Sequence, residues 1–155
     1  MHKERFIVTK ELGKLAKWLR ILGYDSVYYD GKETAGLVIQ ALRDKRVLIT
    51  RSSALTKYTG VQVVVVRSDH VEEQLEQVTR ELGLLLDEEL LFQRCVECNA
   101  PLEDISKKKV EGKVPEYVFE TQERFKRCPQ CDKVFWKGTH WDMVKKWLAK
   151  KRQKK

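Results

Sequence analysis

The chain has 155 residues, of which 42% are apolar and 35% are charged, proportions that indicate a folded globular protein rather than a disordered one. Its apolar runs reach only about five residues, far short of the roughly 20 that a membrane-spanning helix needs. The N-terminal residues also lack an apolar core of signal-peptide length. We therefore expect a soluble cytoplasmic protein that does not associate with a membrane.

The net charge of +8 comes entirely from the C-terminal part of the chain. Residues 1–90 contain 14 basic and 14 acidic residues, whereas residues 91–155 contain 17 and 9. This asymmetry indicates a polyanionic partner, most simply nucleic acid, although a lysine-rich tail that only keeps the protein soluble has the same composition. Contacts from such a tail to phosphates would carry no sequence specificity.

Strand and helix patterns alternate in the first 80 residues. The predicted strands are 6–9, 26–29, 47–50 and 61–66. The predicted helices are 10–22, 35–43, a short one from 52 or 53, and 71–82. The strands are rich in Val and Ile without polar alternation, which indicates a parallel sheet with helices on both faces. The functional site of such an α/β sheet lies at the carboxyl ends of its strands.

All four cysteines belong to two C-x-x-C pairs: Cys95, Cys98, Cys128 and Cys131. Two such turns facing each other form a four-thiolate structural zinc site with no open position for catalysis. Disulfides are disfavoured in a reducing compartment and a redox motif explains only one pair, while iron–sulfur ligation stays an alternative. We predict an α/β domain over residues 1–90, then a zinc ribbon with a basic C-terminal helix and tail over residues 91–155.

Several segments of the chain together carry a family resemblance. Those in the first domain are FIVTKELGKLAKWLRILGYD (6–25), VLITR (47–51) and RSDHVEEQL (67–75). Those in the zinc ribbon are RCVECNAPL (94–102), RCPQC (127–131) and WKGTHW (136–141). These segments resemble the Mut-seven C-terminal ribonuclease family. The resemblance implies a PIN-like α/β fold with an attached zinc ribbon. It also implies a ribonuclease whose acidic residues at the strand ends hold Mg²⁺ or Mn²⁺.

The chain departs from this family at the residues that would carry the chemistry. The family usually has Asp at the positions of Thr9 and Ser52, and a neutral hydroxyl is a poorer ligand for a hard cation than a carboxylate. The acids that remain near the strand ends are Asp25, Asp30, Glu33 and Asp69. Of these, Asp30, Glu33 and Asp69 are the candidates for a residual catalytic site. Acids at these places also commonly cap helices and line loops.

Basic residues near the strand ends are the candidate RNA-binding residues: Lys10, Lys14, Lys17 and Arg20 on the first predicted helix, with Arg51 and Arg67. The alternative for the helix is an ordinary solvated face. We predict an RNA-binding protein of a ribonuclease family, with an active Mg²⁺- or Mn²⁺-dependent ribonuclease as the first alternative. The second alternative is a protein-interaction module such as a ribosome-associated factor, which binding that survives high salt would favour.

Overall fold

The computed structural model describes residues 3–153, except for the side chains of residues 139, 140, 152 and 153. The chain divides into two compact units, the first ending at Asn99 and the second beginning at Ala100. The sequence placed this boundary at residues 90 and 91. The last two lysines of the predicted basic tail, Lys154 and Lys155, lie outside the described residues. No helix within residues 3–153 is long and apolar enough to cross a membrane.

The first unit contains a four-stranded parallel sheet. Its strands are β1 (Arg5–Val8), β2 (Asp25–Tyr28), β3 (Val47–Thr50) and β4 (Val63–Val65). They lie in the order β2-β1-β3-β4, so that Ile7 of β1 is paired with Val27 on one side and Leu48 on the other. Both Ile7 and Leu48 are fully buried, as expected for the central strands of a sheet that is covered on both faces.

Three helices cover the two faces of this sheet, which confirms the predicted α/β class. They are α1 (Gly13–Ile21), α2 (Thr34–Arg43) and α3 (Val71–Leu82). Helix α2 packs on the face that carries Ile7 and Leu48. Helices α1 and α3 contact each other, and the right-handed crossovers of parallel sheets place them on the opposite face.

The residues that follow β1 and β3 form short 3₁₀ turns, at Lys10–Leu12 and Ser53–Lys57. The predicted helix 10–22 therefore begins with a 3₁₀ turn before α1. Gly23 follows α1 with φ of 95°, and a Cβ there would lie 2.4 Å from the carbonyl oxygen of Leu90. Only glycine fits at this turn, because it combines a left-handed backbone with a close backbone approach.

The second unit contains a three-stranded antiparallel sheet and three helices. Its strands are β5 (Glu103–Ile105), β6 (Phe125–Arg127) and β7 (Val134–Phe135), in that order across the sheet. Its helices are α4 (Lys107–Val110), α5 (Glu116–Thr121) and α6 (Thr139–Gln153). A small cluster of Val110, Val118 and Phe125 forms its core, with Trp136 packed against it. So small a core is typical of modules that depend on a bound metal.

Candidate functional site

A cleft of about 400 Å³ opens at the carboxyl ends of β1 and β3, the edge of the sheet that the sequence predicted for the site. It is lined by the residues after β1, by the loop after β2 and by the 3₁₀ turn after β3. Tyr29 fixes the loop wall: its Oη donates to the carbonyl oxygen of Glu33 at 2.8 Å. A Cβ at Gly31 would lie 2.4 Å from Oη of Tyr29, and a Cβ at Gly36 would lie 2.6 Å from it. Both glycines are therefore needed for the Tyr29 ring to pack in this position.

Two hydroxyl side chains occupy the positions where the family resemblance implies catalytic aspartates. Thr9 directly follows β1 and is only 9% exposed, and its Oγ1 donates to Oε1 of Glu11 at 2.7 Å. Ser52 lies just beyond the end of β3, is exposed and lines the same cleft. Neither side chain brings the negative charge that Mg²⁺ and Mn²⁺ sites in proteins normally rely on.

Glu11 is a candidate residue that the sequence analysis missed. Its Oε1 also accepts a hydrogen bond of 3.4 Å from the backbone N–H of Arg51, so this carboxylate links the ends of β1 and β3. Burial raises the pKa of Glu11, but hydrogen bonds from its own backbone, Thr9 and Arg51, with the charge of Arg51, hold it below its ordinary value. An acid two residues after Thr9 was visible in the sequence, but assigning residues 10–22 to a helix concealed its position at the strand end.

The structure does not bring Asp30, Glu33 and Asp69 together as one acidic cluster. Among the side chains that the structure describes, the only group of three or more His, Cys, Asp or Glu close enough to share an ion consists of cysteines. Glu33 is exposed and lines the cleft, and Asp30 is exposed in the loop before it. Asp69 forms an ion pair with Arg51, with Oδ1 at 2.5 Å from Nη1. A catalytic role for these three acids stays a prediction.

Several basic side chains lie at or beside the cleft. Lys10, one of the predicted RNA-binding residues, is exposed and lines it, and Arg51 follows the end of β3. Lys32 and Lys57, which the sequence analysis did not single out, line the cleft as well. Lys32 and Lys57 reach the cleft because of the conformations of the loop after β2 and the turn after β3, and sequence patterns locate these segments only approximately.

The other predicted RNA-binding residues are spread over different parts of the first unit. Lys14 and Lys17 are exposed on α1, and Nζ of Lys17 lies 3.6 Å from Oε1 of Glu97. Arg67 follows β4, and its Nη2 donates to Oε1 of Glu81 at 3.3 Å. Lys17 and Arg67 are therefore each paired with a glutamate, and the predicted RNA-binding residues do not form one continuous surface of unpaired positive charge.

Arg20 has a structural position in place of the predicted contact with RNA. It is only 8% exposed, its Nε donates to the carbonyl oxygen of Ser26 at 2.9 Å, and its Nη1 donates to those of Val96 and Glu97 at 2.7 and 3.2 Å. Burial lowers the pKa of Arg20. Helical periodicity explains why Arg20 is buried. It lies four residues after the buried Ala16 and thus on the inward face of α1. A guanidinium bonded in this way is not available to a phosphate.

The four cysteines form the cluster that can hold a metal such as zinc. Their Sγ atoms all lie within 4.8 Å of one another. Each pair forms the same turn, in which the backbone N–H of Cys98 donates to Sγ of Cys95 at 3.3 Å and that of Cys131 donates to Sγ of Cys128 at 3.4 Å. Four thiolates, two of which accept a backbone N–H, are the donor set of a tetrahedral zinc site, so the residues present fit this metal.

The family model described as the Mut7-C RNAse domain matches residues 4–148 of the chain. This range includes the cleft and both pairs of cysteines. Neither the comparison with curated proteins nor the comparison with solved structures gives a significant match.

Proposed function

Because the chain belongs to the Mut7-C RNAse domain family, we propose that it binds RNA at the carboxyl edge of its parallel sheet without cleaving it. Membership in the family by itself suggests a function related to RNA. The finer proposal depends on one observation, the hydroxyl side chains of Thr9 and Ser52 where the resemblance implies catalytic aspartates. Since carboxylates are the main protein ligands of Mg²⁺ and Mn²⁺, this exchange favours a bound phosphate over a bound cation.

The charges around the cleft support a phosphate ligand. Lys10, Lys32 and Lys57 all line it and are exposed. Two carboxylates, those of Glu11 and Glu33, line it too, but that of Glu11 is already engaged in hydrogen bonds between the strand ends. The three lysines outnumber the two carboxylates, so the net charge of these side chains is positive. Lysines on a cleft wall attract a phosphate backbone without reading its sequence.

Helix α6 of the second unit supports a polyanionic partner independently. It exposes Lys145, Lys146 and Lys150, whereas Val144 and Leu148 on its other side are each only 1% exposed. Because these two apolar residues are buried in the protein, they are not available to enter a lipid bilayer. The exposed basic face is therefore better suited to nucleic acid phosphates than to a membrane surface.

Tryptophans of α6 lie close to two lysines of the helix, Lys145 and Lys151, and to Lys137 just before it. Nζ of Lys137 lies 4.2 Å and Nζ of Lys145 5.9 Å from the ring centroid of Trp141. Nζ of Lys151 lies 5.7 Å from that of Trp147. Such cation–π contacts order long side chains before a partner binds and reduce the conformational entropy lost on binding. They favour phosphate binding by the lysines over base stacking by the tryptophans.

We propose structural zinc for the four cysteines, because four thiolates complete the coordination of the ion and leave no position for a substrate. Reduced thiols of this kind suit a reducing compartment, which supports the cytoplasm as the location. The parallel sheet with a cleft at its carboxyl edge is consistent with the PIN-like fold that the resemblance implies.

An active ribonuclease is the second candidate function, favoured by the presence of both Glu11 and Glu33 at the cleft. In that case Mg²⁺ or Mn²⁺ would be held by these carboxylates and would activate water and stabilise the developing charge on the phosphate. This candidate predicts metal-dependent cleavage that is lost when Glu11 is changed to Gln.

The test measures RNA binding by fluorescence anisotropy over a series of salt concentrations and cleavage of the same RNA with Mn²⁺. Lys10→Ala combined with Lys57→Ala removes two charges from the cleft. Arg80→Ala is the control, because this exposed residue lies in the last turn of α3, away from the carboxyl edge. We expect the double substitution to flatten the dependence of log K on log salt by roughly 1.4, at roughly 0.7 per phosphate contact.

Binding without cleavage that is weakened by the double substitution but not by Arg80→Ala supports the proposal. Cleavage that requires Mn²⁺ and disappears in Glu11→Gln establishes the ribonuclease instead. The absence of RNA binding overturns both functions, and in that case affinity for a protein, insensitive to salt, points to the interaction module.

A further inference from the structure

The edge strand β2 ends the sheet on one side, yet the backbone of Ser26 in its middle is fully buried and paired. Its N–H donates to Oδ1 of Asn99 at 2.9 Å, and its carbonyl oxygen accepts from Nε of Arg20 at 2.9 Å. Two side chains thus take the place of a further strand at this position. Unpaired edges of sheets are sites of non-native pairing and aggregation, so covering them protects a folded chain.

The same two residues hold the first cysteine turn, Arg20 through its side chain and Asn99 through its backbone. Nη1 of Arg20 donates to the carbonyl oxygens of Val96 and Glu97, the two residues between Cys95 and Cys98. Asn99 follows directly after the turn with φ of 67°, and its backbone N–H donates to the carbonyl oxygen of Cys95 at 2.8 Å. The cysteine turn and the cover of the strand are therefore one continuous structure.

A partly buried ion pair between Arg46 and Asp25 extends this connection into the sheet. Nδ2 of Asn99 donates to Oδ1 of Asp25 at 2.7 Å, and Nη1 of Arg46 donates to the same oxygen at 2.9 Å. Burial raises the pKa of Asp25, but the hydrogen bonds from Arg46 and Asn99 hold it below its ordinary value. The amide of Asn99 uses both its donor and its acceptor on β2, which no aliphatic side chain can do.

We propose that the turn of Cys95 and Cys98 caps the edge of β2 and that metal binding by these cysteines controls the cap, with Arg20 and Asn99 as positioning residues. When zinc holds both thiolates, the turn is fixed and presents Asn99 to Ser26. When the metal is absent, the turn loosens and the backbone of Ser26 loses its partner. By thermodynamic linkage, the contacts of Asn99 strengthen metal binding by the same factor as metal binding strengthens them. This inference rests on the proposed zinc site but not on RNA binding.

The experiment uses the full chain and compares Asn99→Gly with Asp132→Gly. Asp132 occupies the matching position after the second cysteine pair, with φ of 66° and its N–H bonded to the carbonyl oxygen of Cys128. Glycine keeps the left-handed backbone at both positions, so only the side chain is lost. Amide hydrogen exchange is measured at Ser26 and, as a reference for global unfolding, at Ile49 in the central strand, with saturating zinc and after chelation. Zinc affinity is measured by competition with a chromogenic chelator.

We expect Ser26 to be protected with zinc and to exchange faster after chelation, while Ile49 stays protected. Asn99→Gly should expose Ser26 even with zinc and weaken zinc binding about tenfold, as is common for residues that position metal ligands. Asp132→Gly should leave Ser26 protected at saturating zinc. Verified zinc removal without a change at Ser26, or an equal rise at Ser26 and Ile49, would overturn the proposed control of the cap. A chain that binds no zinc would overturn the metal assignment together with it.

Discussion

The ion pair between Arg51 and Asp69 lets one substitution separate a catalytic role of Asp69 from phosphate binding by Arg51. Nη1 of Arg51 lies 2.5 Å from Oδ1 of Asp69, at the carboxyl edge where RNA would bind. If Asp69 were a catalytic ligand, Asp69→Asn would abolish cleavage. If the edge binds phosphate, Asp69 competes with RNA for Arg51, and the same substitution should strengthen binding.

The size of the gain follows from the exposure of the pair. The Arg51 side chain is 40% exposed and that of Asp69 is 77% exposed, so this is a surface ion pair, for which about 0.2–1 kcal/mol is typical. RNA that binds Arg51 must break this ion pair. Without the Asp69 carboxylate that free-energy cost disappears, which corresponds to RNA binding that is tighter by about 1.5- to 5-fold. The gain should shrink as salt rises, because both the ion pair and phosphate binding are screened.

Fluorescence anisotropy with a labelled single-stranded RNA measures this effect at low and high salt. The matched control is Asp44→Asn, which removes the same charge from an ion pair with Arg43, with Nε 3.0 Å from Oδ1. Arg43 ends α2, at the opposite edge of the sheet from the cleft. An affinity of Asp69→Asn no higher than that of Asp44→Asn would refute a phosphate contact by Arg51.

Three further predictions concern the strand ends and α6. Because the pKa of Glu11 in the folded chain lies below its ordinary value of 4.5, its ionised form stabilises the fold above that pH and this contribution is lost as the pH falls through the folded-state pKa. Urea unfolding should therefore show a smaller acid-induced loss of stability for Glu11→Gln than for the wild type. Thr9→Asp with Ser52→Asp places a carboxylate beside Glu11, so we expect a lower Tm without metal and a rise with Mn²⁺ that exceeds that of the wild type; equal shifts would contradict a rebuilt cation site. Lys146→Ala with Lys150→Ala should weaken RNA binding at low salt and leave Tm unchanged, since both side chains are exposed; unchanged binding would exclude α6 as a contact surface.

The sequence by itself determined the features that depend on short-range patterns. Runs of Val and Ile separated by helical periodicity specify buried parallel strands, and α3 begins at Val71 and ends at Leu82 as its pattern predicts. Two C-x-x-C pairs specify a metal-binding cluster, since the turn geometry is local to each pair. The carboxyl edge was also predictable as the place of the cleft, because all strands of a parallel sheet end there.

Only the tertiary structure decided which charged side chains at these places are available to a ligand. Arg20 belongs to the basic residues of α1 by sequence, but the packing of that helix buries it against the first cysteine turn. Glu11 appeared to be an ordinary helix residue until the strand ends brought Thr9 and the backbone of Arg51 to its carboxylate. These contacts join residues distant in the chain, such as Arg20 with Val96 or Glu11 with Arg51. Their partners are set by strand register and helix packing, which a local pattern of residue types does not encode.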